Sequence, residues 1–151
     1  DVSINIMSDW NMIGLPVGLD DIQYQIIFPN SIENTLYTFG TTGYSSETEL
    51  QLGTGYWLRF DGPESVIISG TPVDGLSISL MEGWNMISGI SNPIMVDYIM
   101  DPDNLIIPNT IYGFSETGYS ITSVLNPGYG YWLRSSDEGE IQLSSSNRAK
   151  T

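Results

Sequence analysis

The chain has no cysteine and no histidine, and it has only 4 basic residues against 18 acids in a length of 151. Without cysteine it can form neither a disulfide nor a thiolate metal site. Without histidine it lacks the usual general base, the usual zinc ligand and every triad that depends on imidazole. The formal net charge is −14, and two of the bases, Arg148 and Lys150, lie in the last four residues. The body therefore carries Arg59 and Arg134 as its only cations. Such a surface repels phosphate backbones and anionic headgroups, which argues against nucleic-acid and membrane partners. No apolar run approaches the roughly 18 residues of a membrane-spanning helix, and no basic-then-apolar leader is present. The chain opens at Asp1 rather than Met, as expected of a processed protein or one module of a larger chain.

Against these absences stand a hydrophobic fraction of 40% and an aromatic-rich composition, with 4 Trp, 9 Tyr and 4 Phe. That is enough to build a core. The chain is organised by repetition. Gly55-Tyr56-Trp57-Leu58-Arg59 returns letter for letter as Gly130-Tyr131-Trp132-Leu133-Arg134, 75 positions later. Between 35–59 and 110–134, 14 of 25 positions are identical. A period this long exceeds a solenoid unit. It fits a duplicated β unit of about six short strands, with residues 1–75 as the first repeat, 76–145 as the second and 146–151 as a flexible tail. The expected fold is all-β, with the two repeats packed as a compact sandwich or barrel-like pair. Whether they are two beads or one integrated domain stays open at this level.

Within each copy, Ser3–Met7 and Ser77–Met81 alternate polar and apolar residues and read as half-buried strands. Trp10-Asn11-Met12-Ile13 and Trp84-Asn85-Met86-Ile87 read as strands covered on both faces. The first two strands are expected to pair as a hairpin, and Trp10 and Trp84 to lie in the core. Asn92 and Pro93 suggest the start of a short helix over Ile94–Met100, matched by 20–27 in the first copy. Thr35–Phe39 and Thr110–Phe114 place Tyr37 with Phe39, and Tyr112 with Phe114, on one strand face. Glycine turns then lead into Tyr44 and Tyr119.

The order of these signals resembles a repeat of secreted and surface-anchored bacterial proteins. Its pattern is Gly-Trp-Asn-hydrophobic-Ile, then an aromatic-x-aromatic strand, Gly-Tyr, and Leu-x-x-Gly-x-Gly-Tyr-Trp. The first copy shows it as Asp9–Ile13, Tyr37–Phe39, Gly43-Tyr44 and Leu50–Trp57, with Asp9 where glycine is usual. The second shows Gly83–Ile87, Tyr112–Phe114, Gly118-Tyr119 and Leu125–Trp132. The resemblance implies a secreted or cell-surface location beside other modules, and it carries no catalytic residue to this chain.

Candidate chemistry centres on the aromatics. Sugar-binding modules set flat Trp and Tyr rings against the apolar C–H faces of pyranoses. Trp57 and Arg59 share one strand face, and Tyr56 and Leu58 the other. If the second face is the core side, Trp57 with Arg59 and Trp132 with Arg134 form two equivalent outward platforms. Otherwise both Trp pack inside, and the Arg cap them or pair with a carboxylate. Tyr44 and Tyr119, just after glycine turns, are separate binding candidates, since side chains at loop tips often reach solvent. Phe60 and Tyr129 have no aromatic counterpart in the other copy and mark where the two halves' ligand preference can differ. The acidic turns 61–64, 101–104 and 137–140 offer oxygens for calcium, but none matches the EF-hand loop, so they read first as solvated turns. No two carboxylates are marked as a glycosidase pair, and Gly53-Thr54-Gly55 lacks the lysine of a phosphate loop.

The sequence-level expectation is therefore a non-catalytic extracellular module that binds a polysaccharide or cell-surface glycan, without a required cofactor. The alternative is a structural or adhesive spacer that contacts neighbouring domains and binds no small ligand.

Overall fold

The computed structural model describes residues 1–145; the expected tail at 146–151 lies outside them. The fold is nearly all β and built from two similar halves, as the repeat requires, and the described residues form no closed barrel. The first half contributes β1 (Val2–Ile6), β2 (Asp9–Gly14), β3 (Val17–Gly18), β4 (Tyr37–Gly40), β5 (Gly43–Ser46), β6 (Gly55–Phe60), β7 (Glu64–Ile68) and β8 (Thr71–Pro72). The second contributes β9 (Gly75–Leu80), β10 (Gly83–Ser88), β11 (Ile94–Met95), β12 (Tyr112–Ser115), β13 (Gly118–Ile121), β14 (Val124–Leu125), β15 (Gly130–Ser135) and β16 (Gly139–Ser144). Among the described residues each half thus has eight strands rather than about six, the additions being two-residue pairings. The expected helices shrink to α1 (Tyr24–Ile27) and a 3-10 turn, Val96–Tyr98. Ile94 and Met95, expected to be helical, are strand residues paired with β14.

Each half is organised on an antiparallel four-stranded sheet, ordered β2-β6-β4-β5 in one and β10-β15-β12-β13 in the other. The expected hairpin between the first two strands does not form. β1 pairs with β7, and β2 pairs with β6; β9 and β10 likewise separate to β16 and β15. The reason is the Asn of the repeated Trp-Asn pair. The Asn11 side chain accepts from the Met7 N–H at 2.9 Å and donates to the Met7 and Asp9 carbonyls. Asn85 makes the same three bonds to Met81 and Gly83. A side chain that satisfies the backbone at the corner releases the preceding strand to pair elsewhere.

The two halves have separate cores. Ile4, Ile13, Phe28, Leu36, Leu58 and Phe60 anchor the first, and Ile87, Ile90, Leu125, Leu133, Ile141 and Leu143 the second. Each such side chain, fully buried, contributes roughly 1.5–3 kcal/mol. Tyr129 packs against both cores, and its hydroxyl accepts from the Asn5 N–H at 2.9 Å.

The halves meet through reciprocal backbone contacts. The Gly14 N–H donates to the Gly128 carbonyl at 3.1 Å, and the Ser88 N–H to the Gly53 carbonyl at 3.0 Å. Those four residues are two equivalent pairs in the repeat. Bridges Ile13–Tyr129 and Ile87–Thr54 repeat the relation. Reciprocal contact between equivalent residues is the signature of a twofold axis, so the halves are related by a pseudo-twofold.

Candidate functional site

Strand alternation decides which residues of the repeated motif face outward. In β6, Tyr56, Leu58 and Phe60 are buried in the core while Trp57 is half-buried and Arg59 exposed. β15 repeats this, with Tyr131 and Leu133 inside and Trp132 and Arg134 on the other face. The core side is thus the Tyr56/Leu58 side. The Tyr56 and Tyr131 hydroxyls accept from the N–H groups of Gln51 and Asn126 at 2.8 and 2.9 Å, tying the preceding loop to the strand. Burial pushes both phenols above their ordinary pKa, against the lowering effect of those hydrogen bonds.

Trp10 and Trp84, expected in the core, lie instead on the outward face, 36% and 39% exposed. β2 places Asn11 and Ile13 toward the core and Trp10 and Met12 away from it. Trp10 stands opposite Arg59 and Met12 opposite Trp57; Trp84 and Met86 stand opposite Arg134 and Trp132. The polar Asn11 on the core side is what makes the pattern misleading. Tyr37 pairs across from Trp57 and Phe39 across from Tyr44, which puts all of them on this face. Tyr44 and Tyr119 reach solvent, 55% and 53% exposed, from strands β5 and β13 rather than from loop tips.

Ten rings form one aromatic layer over both halves. Trp57 meets Trp10 edge-on at 6.3 Å and the Phe114 ring of the other half at 4.9 Å. Its counterpart Trp132 meets Trp84 at 6.2 Å and Phe39 at 5.3 Å. The Tyr119 ring meets Trp57 of the other half edge-on at 6.5 Å, and its hydroxyl accepts from the Trp132 indole N–H at 3.4 Å, so Tyr119 links the two groups of rings. Two open clefts result. One, of about 520 Å³, is lined by Trp10, Tyr37, Tyr44, Trp57 and Phe114. The other, of about 370 Å³, is lined by Trp84, Tyr112, Tyr119, Trp132 and Phe39. Each cleft takes four rings from its own half and one phenylalanine from the other. Sequence reasoning missed Trp10, Tyr37 and Phe39 and their counterparts as lining residues, although the period-2 pairing of Tyr37 with Phe39 carried the signal.

Charge stands at the rim. Arg59 pairs through Nε with the Asp9 carboxylate, and both side chains are well exposed. Asp9 has φ 75°, the left-handed region that Gly83 occupies in the second copy. Arg134 has no ion pair among the described residues. Among the described residues, no charged side chain lines either cleft.

Other sequence candidates lie elsewhere. Phe60 and Tyr129 are interior packing residues, Phe60 edge-on to Phe28 at 5.9 Å, so they do not separate ligand preferences directly. In the acidic turn 101–104, the Asp101 carboxylate accepts from the Leu105 and Ile106 N–H groups at 2.8 and 2.9 Å. Among the described residues no three acidic side chains converge on one point. Comparisons of the chain with family models, with curated proteins and with solved structures give no match.

Proposed function

We propose that the protein is a non-catalytic extracellular module that binds carbohydrate through the aromatic face. One observation carries this reading: ten aromatic side chains are gathered on the face opposite both cores, where neither core uses them. Burial alone would draw rings of this size inward. Apolar faces with polar tips suit a pyranose, whose C–H face stacks on a ring while its hydroxyls reach outward. Charge narrows the occupant. The acidic body disfavours anionic polymers, and the uncharged aromatic lining of both clefts offers no ion-pair partner to a cationic one. A neutral chain of equatorially linked sugars, such as a β-1,4-glucan or xylan, is the complementary ligand. Trp57, Arg59, Trp132, Arg134, Tyr44 and Tyr119 are the proposed contacts, with Trp10 and Trp84 completing the platforms.

The test is a panel of soluble neutral polysaccharides with intrinsic Trp fluorescence as readout. Binding in the micromolar-to-millimolar range is expected, with loss in the Trp57→Ala plus Trp132→Ala variant while its circular dichroism stays native. A fluorescence spectrum unresponsive to every sugar would overturn this reading and favour a spacer whose aromatic face docks a neighbouring domain.

A further inference from the structure

We infer that the protein is bivalent and bridges two separate glycan chains, one in each cleft, held in opposite directions. This rests on the carbohydrate reading above and concerns how the same face is used. Both clefts open on the one aromatic layer and meet at Tyr119, which lines one cleft and contacts Trp57 of the other at 6.5 Å. The reciprocal contacts Trp57–Phe114 and Trp132–Phe39 relate the clefts by the same pseudo-twofold that relates the halves. An axis that exchanges two sites while keeping them on one face runs through that face, between the sites. It therefore reverses every direction lying in the face. A glycan has a reducing and a non-reducing end, so a chain running through both clefts would meet one forwards and the other backwards. Equivalent binding in both clefts needs two chains, or a chain that doubles back.

The exchange of phenylalanines makes the two sites inseparable from the pairing of the halves. Phe39 leaves its own half's cleft to wall the other, and Phe114 does the reverse. Neither repeat alone contains a complete cleft. Two linked sites on one polymer network raise apparent affinity by avidity and join chains that each site alone would only decorate.

The experiment uses the whole chain. Calorimetric titration with cellohexaose, and in parallel xylohexaose, measures the number of hexasaccharides bound per chain. Light scattering with soluble hydroxyethyl cellulose or arabinoxylan measures cross-bridging. Two hexasaccharides per wild-type chain are expected, with growth of scattering on the matching polymer. Phe39→Ala and Phe114→Ala should each leave one hexasaccharide site, abolish the scattering growth and weaken polymer binding by about 10–100-fold. Trp84→Ala and Trp10→Ala, at more exposed positions, empty the same clefts and serve where a Phe variant loses its fold. One hexasaccharide per chain, abolished by any of the four substitutions, would show a single continuous site and overturn bivalency while leaving carbohydrate binding intact. Two per chain without scattering growth would overturn bridging. No binding of either sugar would instead remove the carbohydrate reading, and the bridging proposal with it.

Discussion

Asn11 and Asn85 are the buried polar residues on which the corners of the fold depend. Each side chain makes three hydrogen bonds to the corner backbone, two of them to Met7 or Met81, which lie outside the strands. Asn11→Ala would strand the Met7 N–H and carbonyl in a part-buried corner, and a loss of about 2–4 kcal/mol is expected, read from the urea midpoint. A near-neutral result would mean that water replaces the amide. The buried tyrosines make a pH prediction. Tyr56 and Tyr131 have pKa values raised by burial, so the folded state holds their protons more tightly than the unfolded chain does. Their contribution is fully present below the unfolded pKa of about 10 and is lost as pH rises through the higher folded values. Stability should therefore fall above pH ~10, and the Tyr56→Phe plus Tyr131→Phe variant, less stable at neutral pH, should show a shallower fall. A slope unchanged in that variant would assign the alkaline loss to other groups. At this scale the sequence was legible where alternation was strict, as in Tyr56-Trp57-Leu58-Arg59. It misled where a polar residue took the core side: Asn11 faces inward because the Met7 backbone receives it, and Trp10 is turned outward as a consequence.

At the scale of elements, the repeated glycine before Tyr-Trp-Leu-Arg has a reason beyond turn geometry. A Cβ at Gly55 would stand 2.6 Å from the Ile87 carbonyl oxygen, and one at Gly130 would stand 2.9 Å from that of Ile13. Backbone on both sides leaves nothing free to give way. Gly55→Ala should destabilise by about 1–3 kcal/mol through this close approach. Gly40→Ala, with nothing within 4 Å of its would-be Cβ, should change stability by less than about 0.5 kcal/mol. Denaturant midpoints of the two variants check the contrast. Strands β4, β5, β6 and their counterparts were readable because period-2 aromatics and glycine turns are local signals. The pairing of β1 with β7 was not, since it joins residues some sixty positions apart. The expected helix over Ile94–Met100 failed for a similar reason: a backbone pairing with β14 claimed Ile94 and Met95.

At the scale of the molecule, the halves depend on one another through the Gly14–Gly128 and Ser88–Gly53 hydrogen bonds and through the shared packing of Tyr129. A chain of about 75 residues without a disulfide is also near the lower limit of independent stability. Residues 1–74 and 75–145, produced separately, should be largely unfolded, and mixing them should restore β-sheet circular dichroism and a blue-shifted Trp emission. Two cooperative melts close to that of the intact chain would refute this dependence. The sequence by itself determined the all-β class, the twofold repetition, the acidic body with two cations, and the two-faced strand that carries Trp57 and Arg59. These follow from composition, period and identity, which are properties of the chain in one dimension. Only the tertiary structure decided that the Tyr56/Leu58 side is the core, that Trp10 and Trp84 turn outward, and that Phe39 and Phe114 cross to the opposite half. Those outcomes depend on which backbone groups and rings meet across the pseudo-twofold, and a repeat read along the chain carries no record of how its copies face each other.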